Sequence, residues 1–180
     1  MKQLIAPEEA IELLSKAGCS SSIVQHCKTV SKLAVKYARD IKKRGTEIDV
    51  PLVRIGGLLH DIGRSKTHQI DHAVVGVEIA RSFDLPEPVI RIIERHIGSG
   101  IPAEEAATLG LPHKSYIPET LEEKVVSYAD KLIEGSHEIT FDEALERFTQ
   151  EFGRFNPIVV RFKQIHDELI LMLGRKLQPC

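Results

Sequence analysis

Nowhere in these 180 residues do two cysteines stand in a Cys-x-x-Cys pair. The three present, Cys19, Cys27 and Cys180, leave one thiol over. A disulfide framework and a zinc ribbon are both disfavoured, and a reducing compartment is the simpler reading. No apolar run approaches the roughly 18 residues that a membrane helix needs. The first residues, Met1-Lys2-Gln3-Leu4-Ile5, hold no signal-peptide apolar core. A soluble, cytoplasmic protein is therefore expected. Neither sign of charge is in excess: 24 basic and 26 acidic residues give a formal net charge of −2. That argues against an extensive nucleic-acid surface, which normally needs a strongly basic face. It leaves room for a small phosphate-bearing ligand, which needs only a few local cations. Convincing strand pairs, internal repeats, low-complexity stretches and linkers are absent as well.

What is present is helical patterning. Hydrophobic residues make up 42% and charged residues 28%, a globular balance that excludes disorder by composition. Residues 7–17 open with Pro7 and two glutamates, which suit a first helical turn. Gly18 stops that segment, and Ser20, Ser21 and Ser22 offer N-caps for a long second helix. In it Ile23, Cys27, Val30, Ala34, Tyr37 and Ile41 recur at steps of four and three, an amphipathic stripe. Gly45 suits a C-cap. Further helices are expected from Pro51 to about His60 and over 72–83, 88–97, 120–134, 142–152 and 157–176. Segment 98–120, rich in Gly and Pro, reads as a surface excursion with one short helix at Ala103–Leu109. The expectation is an all-α fold and a single domain over residues 1–180.

The residues that carry chemistry are histidines and aspartates at inward-facing helical positions. His26 lies on the edge of the apolar stripe. His60-Asp61 closes the helix that begins at Pro51. Asp130 follows Val126 by four and precedes Ile133 by three, on or beside a buried stripe. A buried carboxylate needs a partner, and a metal is one that all four groups can share. Mixed imidazole and carboxylate ligands suit Fe, Mn, Co, Ni or Zn. Arg64, Lys66, Arg95 and Lys131 adjoin these positions. They are candidate phosphate clamps, with a solvated helix face as the alternative.

This pattern resembles the H…HD…D signature of the HD superfamily of phosphohydrolases. His60-Asp61-Ile62-Gly63 is its HDIG variant, and the segment that carries the likeness is 20–134. The resemblance implies a helical HD-domain bundle with extra C-terminal helices over 140–177. It implies a metal-bound active site on His26, His60, Asp61 and Asp130. By similarity to binuclear branches, His72 and His96 would hold a second ion and Asp61 would bridge the two. His68, four residues before His72, could exchange roles with it. The arrangement is similar to bacterial HD enzymes that split diadenosine tetraphosphate, and to uncharacterised archaeal HDIG proteins. No Gly-Tyr-Pro tripeptide is present, so the cyclic-dinucleotide branch that carries one is not supported.

The implied activity is hydrolysis of a phosphomonoester or phosphodiester, such as a nucleotide, by a metal-activated hydroxide, with one or two divalent ions per chain. Asp61, Lys131 and Arg64 are the catalytic candidates. Arg64, Lys66, Arg95 and Lys131 would hold substrate. Competing readings are a di-iron HD-type oxygenase and a non-catalytic module that binds metal and nucleotide. His113, His137 and His166 are expected on the surface or in loops. Glu104, Glu105, Glu122 and Glu123 are expected as solvated helix starts. Phe141, Phe148, Phe152, Phe155 and Phe162 are expected to pack the C-terminal helices onto the rest. The apolar end Ile170-Leu171-Met172-Leu173 could pack internally or against a second copy; a homodimer is favoured.

Overall fold

The structure is a computed structural model that describes residues 3–174. These residues form nine α-helices: α1 Pro7–Ala17, α2 Ser21–Lys43, α3 Val50–Leu59, α4 His72–Ser82, α5 Glu87–Arg95, α6 Ala103–Thr108, α7 Leu121–Lys131, α8 Phe141–Phe152 and α9 Pro157–Met172. The fold is all-α. Its one sheet among the described residues is a small antiparallel hairpin of β1 Ile133–Glu134 and β2 His137–Glu138. That hairpin takes the last residues expected of the 120–134 helix. It closes on a two-residue Gly135-Ser136 turn, too short to show a strand pattern in sequence.

Local chemistry explains most helix boundaries. Pro7 opens α1, and Gly18 closes it in the left-handed region at φ 96°. The Ser20 hydroxyl accepts from Ile23 N and starts α2. The Asp49 carboxylate accepts from Leu52 N at 2.9 Å, one residue before the α3 start. Thr120 with Glu123, and Thr140 with Glu143, form capping boxes for α7 and α8. The last stretch expected of α9 partly lies outside the described residues.

The core is built in two main clusters and a smaller one. Val30, Ala34 and Ile41 of α2 meet Val125, Val126 and Ala129 of α7, with Phe162 and Leu169 of α9. Leu13 and Leu14 of α1 meet Ile55 and Leu59 of α3, Val77 of α4, and Ile90 and Ile93 of α5. Helix α3 is apolar on nearly every side and sits in the middle, against α1, α2, α5 and α7. Its approach to α2 is close because Gly57 faces the Ser31 backbone, where a Cβ would lie 2.8 Å from Ser31 Cα. This closeness brings the end of α3 beside α2, where His26 stands.

Segment 98–120 is more than an excursion. Ile101, Ala106, Leu111 and the fully buried Tyr116 form a third cluster with Ala73 and Ile97. The C-terminal aromatics divide. Phe162 is buried and stacks on Phe148 at 4.9 Å, with Phe141 at 5.3 Å, whereas Phe155 is 89% exposed. Ile170 and Leu173 are buried within the chain itself, leaving Leu171 outward.

Candidate metal centre

Five helices or their ends converge on one buried cluster. His26 comes from the second turn of α2, His60 from the end of α3, and Asp61 from the residue that follows. His72 is the first residue of α4, His96 closes α5, and Asp130 stands near the end of α7. His60, Asp61, His72 and His96 are buried; His26 and Asp130 are mostly so.

The Asp61 carboxylate lies at the centre. Its Oδ1 faces His72 Nε2 and His96 Nε2, both at 3.3 Å. Its Oδ2 faces His60 Nε2 at 3.7 Å and His26 Nε2 at 3.8 Å. Asp130 Oδ1 lies 3.1 Å from His26 Nε2 and 3.3 Å from His60 Nε2. One carboxylate oxygen thus looks toward each pair of imidazoles.

The imidazoles are oriented by backbone carbonyls. The Nδ1 atoms of His26, His60, His72 and His96 lie 2.7–2.9 Å from the carbonyl oxygens of Gly135, Gly57, Gln69 and Ile93. A carbonyl only accepts, so each Nδ1 carries its proton and donates. In the neutral ring the lone pair is then on Nε2, the atom aimed into the cluster. His72 Nε2 and His96 Nε2 are 3.0 Å apart. His60 Nε2 and Asp61 Oδ1 are buried without a hydrogen-bond partner. Acceptors crowded in this way repel one another unless a cation lies among them.

Electrostatics keep the set in ligand form. Burial alone would raise the Asp61 carboxyl; the imidazoles of His60, His72 and His96 outweigh it and hold the group well below its usual range. Asp130 is likewise driven up by burial, and Lys131 with His26 and His60 drives it further down. Burial, reinforced by His60 and His72, lowers His96 to about 4 against the pull of Asp61. Both carboxylates are thus ionised and His96 is neutral near pH 7. Imidazole nitrogens with carboxylate oxygens fit a divalent first-row ion. His26, His60 and Asp130 form one set able to hold an ion, and His60, Asp61 and His96 another.

A family model described as the HD domain matches residues 23–135. The chain belongs to the HD domain family. The chain of this HD domain is 48% identical over 162 residues to an uncharacterized protein of Methanocaldococcus jannaschii, covering 90% of this chain and 95% of that one. It is 38% identical to a tRNA (cytidine(56)-2'-O)-methyltransferase of Picrophilus torridus, over 98% of this chain but only half the length of that protein. In fold it is similar to the HD domain of the L. monocytogenes phosphodiesterase PgpH, solved with cyclic-di-AMP. The TM-score is 0.58 at 19% identity, covering 95% of this chain and all of that one. No helix among the described residues is long and apolar enough to cross a membrane.

The six residues expected as ligands from the HD resemblance are brought together. Between the two candidates on one segment, His72 is in the cluster and His68 is exposed. The cations divide. Arg64 Nε donates to Asp61 Oδ2 at 2.6 Å. Lys131 Nζ donates to Asp130 Oδ2 and to the His96 carbonyl at 3.0 Å, and so ties α7 to the end of α5. Arg95 points elsewhere, to Glu119 at 2.7 Å and Glu123 at 3.1 Å, and Lys66 is exposed. Glu123 is not a solvated helix start: it is 2% exposed, bonds its own helix cap and pairs with Arg91 and Arg95. Nor is His166 a surface histidine. Its ring stacks on Phe141, and Nδ1 lies 2.6 Å from the Tyr128 hydroxyl. The carbonyls of Gly135 and Gln69, which orient His26 and His72, carry no side-chain signal that sequence reading could use.

Proposed function

We propose that this HD domain is a metal-dependent phosphohydrolase acting on a phosphomonoester or phosphodiester, with residues 1–180 folding as one domain. The observation that carries this reading is the buried meeting of four Nε2 atoms and two carboxylates, with His60 Nε2 and Asp61 Oδ1 left unpaired. His26, His60 and Asp130 would hold one ion, His72 and His96 a second, and Asp61 would face both. Such an ion supplies a lowered pKa for water and polarises a phosphoryl oxygen. The protein's own part is orientation. Backbone carbonyls fix each imidazole, Arg64 holds Asp61, and Lys131 holds Asp130. Arg64 is 31% exposed and is the cation best placed to meet a phosphate at the mouth of the cluster. Lys66 stands on the same exposed turn and would extend that contact, while Arg95 is engaged by its glutamates.

A cyclic dinucleotide is the ligand of the PgpH structure, which favours nucleotide phosphodiesters as the first substrates to screen. The Picrophilus torridus relative keeps RNA among them. Among the described residues the cysteines, Cys27 buried and Cys19 half-buried, are free thiols, which suits a cytoplasmic setting. The test is hydrolysis of bis(p-nitrophenyl) phosphate and of nucleotides after reconstitution with Mn, Fe, Co, Ni or Zn. Turnover that needs the metal and disappears in Asp61→Ala supports the reading. Wild-type turnover in Asp61→Ala overturns it. Oxygen uptake recorded in the same assay separates hydrolysis from oxygenase chemistry.

A further inference from the structure

A groove of about 1100 Å³ runs along the face of α2 that lies between α1 and the hairpin. Lys28, Lys32, Lys36, Arg39 and Lys43 line it from α2, and Arg54 lines it from α3. On a helix these five α2 positions fall within about 80° of one another and extend for about 22 Å. Lys28, Lys32, Lys36, Arg39 and Arg54 form no ion pair among the described residues; Lys43 lies 3.5 Å from Asp40. The acids that line the same groove are Glu8, Asp40 and Glu138. A chain with a net charge of −2 therefore concentrates a surplus of three positive charges in one concavity.

Six cations facing one groove repel each other and are most simply balanced by a polyanion. We propose that this groove binds the backbone of a single-stranded RNA, at a site separate from the metal cluster. The cations recur along α2 about every 6 Å, one helical turn of rise, so successive phosphates can be met by successive side chains. No Phe, Tyr or Trp lines the groove and His137 is its one aromatic ring, so binding reads the backbone far more than the bases. A membrane is the weaker fit. Interfacial surfaces set large apolar side chains beside the cations, and the exposed ones here (Phe83, Phe155 and Leu171 among them) line other faces. The hairpin connects the two sites: Ser136 and His137 wall the groove, and the adjacent Gly135 carbonyl orients His26.

The test is fluorescence anisotropy with a labelled 15-residue oligouridine and the full chain in EDTA, so that binding is read without turnover. The comparison is wild type, Lys32→Ala/Lys36→Ala, and a control pair on other faces, Lys16→Ala/Arg154→Ala. Counterion release predicts that the first pair weakens binding roughly 25-fold in 0.1 M salt and lowers the log–log salt slope by about 1.4. The control pair should bind like wild type. No binding by wild type, or equal loss in both pairs, overturns the proposal. So does binding to phosphatidylserine vesicles that is tighter than to the oligouridine and lost in the groove variant. Hydrolysis of bis(p-nitrophenyl) phosphate by metal-loaded protein, run in parallel, keeps the two readings apart. Turnover without oligouridine binding removes the groove alone, and binding without turnover removes the hydrolase alone.

Discussion

Replacing Gly63 by alanine probes how the His72 side of the candidate metal cluster is positioned. Gly63 lies in the short turn after His60-Asp61, against the first turn of α4. A Cβ built there overlaps the His72 carbonyl oxygen and lies 2.6 Å from Gly76 N and 2.9 Å from His72 C. All three neighbours are backbone, so no flexible side chain can yield. Ordinary contact begins near 3.4 Å, so the His72 carbonyl at the N-terminus of α4 must retreat by more than an ångström. His72 travels with it, away from Asp61 Oδ1, now 3.3 Å distant. Overpacking of this kind costs about 2–3 kcal/mol, which for a chain of this size lowers Tm by about 5–10 °C. Urea unfolding of metal-free protein measures that cost. Elemental analysis then measures the ions retained, with the one between His72 and His96 expected to go. A Gly63→Ala variant with wild-type stability and full metal content would refute this reasoning.

Three further outcomes are expected. Glu123→Ala takes one of two carboxylates from Arg95, which keeps Glu119, takes the partner from the partly exposed Arg91, and removes half of the α7 capping box, so urea unfolding should register a loss of about 2–3 kcal/mol. Phe162→Ala empties a fully buried site among Tyr128, Phe141 and Phe148 and should cost about 3–5 kcal/mol by the same method. Burial lowers the His166 pKa, with Asp167 opposing, so below the ordinary value of about 6.5 the unfolded chain takes up the proton more readily. The stability from neutral His166 is therefore complete above that pH and falls as pH drops through it. Unfolding measured from pH 7.5 to 5 should show a shallower decline for His166→Gln than for wild type; equal declines would contradict the assignment.

Patterns that repeat along a helix were legible in sequence; groups that acquire partners only through packing were not. Pro7, Ser20 and Gly18 act within a few residues of the boundaries they set, so α1 and the start of α2 could be read directly. His60-Asp61 with His26 and Asp130 stood out because polar groups at apolar-stripe positions need a common partner. The bond from His26 to Gly135 joins residues 109 apart, and nothing local announces it. Glu123 looked like an ordinary acidic first turn; only the arrival of α5 buries it beneath Arg91 and Arg95. The same network draws Arg95 away from the phosphate role that its place beside His96 suggested. Net charge says nothing of distribution: a total near zero does not show that Lys28, Lys32, Lys36, Arg39 and Lys43 share one face.

The most direct test of the central claim is metal content. The full chain, purified without chelator or histidine tag, is analysed for transition metals beside His72→Ala, His96→Ala and Asp61→Ala. The convergent cluster predicts about two ions per chain in wild type, one after loss of either His72 or His96, and none after loss of Asp61. Wild-type protein that holds no stoichiometric metal, and gains none on incubation with Mn, Fe, Co, Ni or Zn, would contradict it.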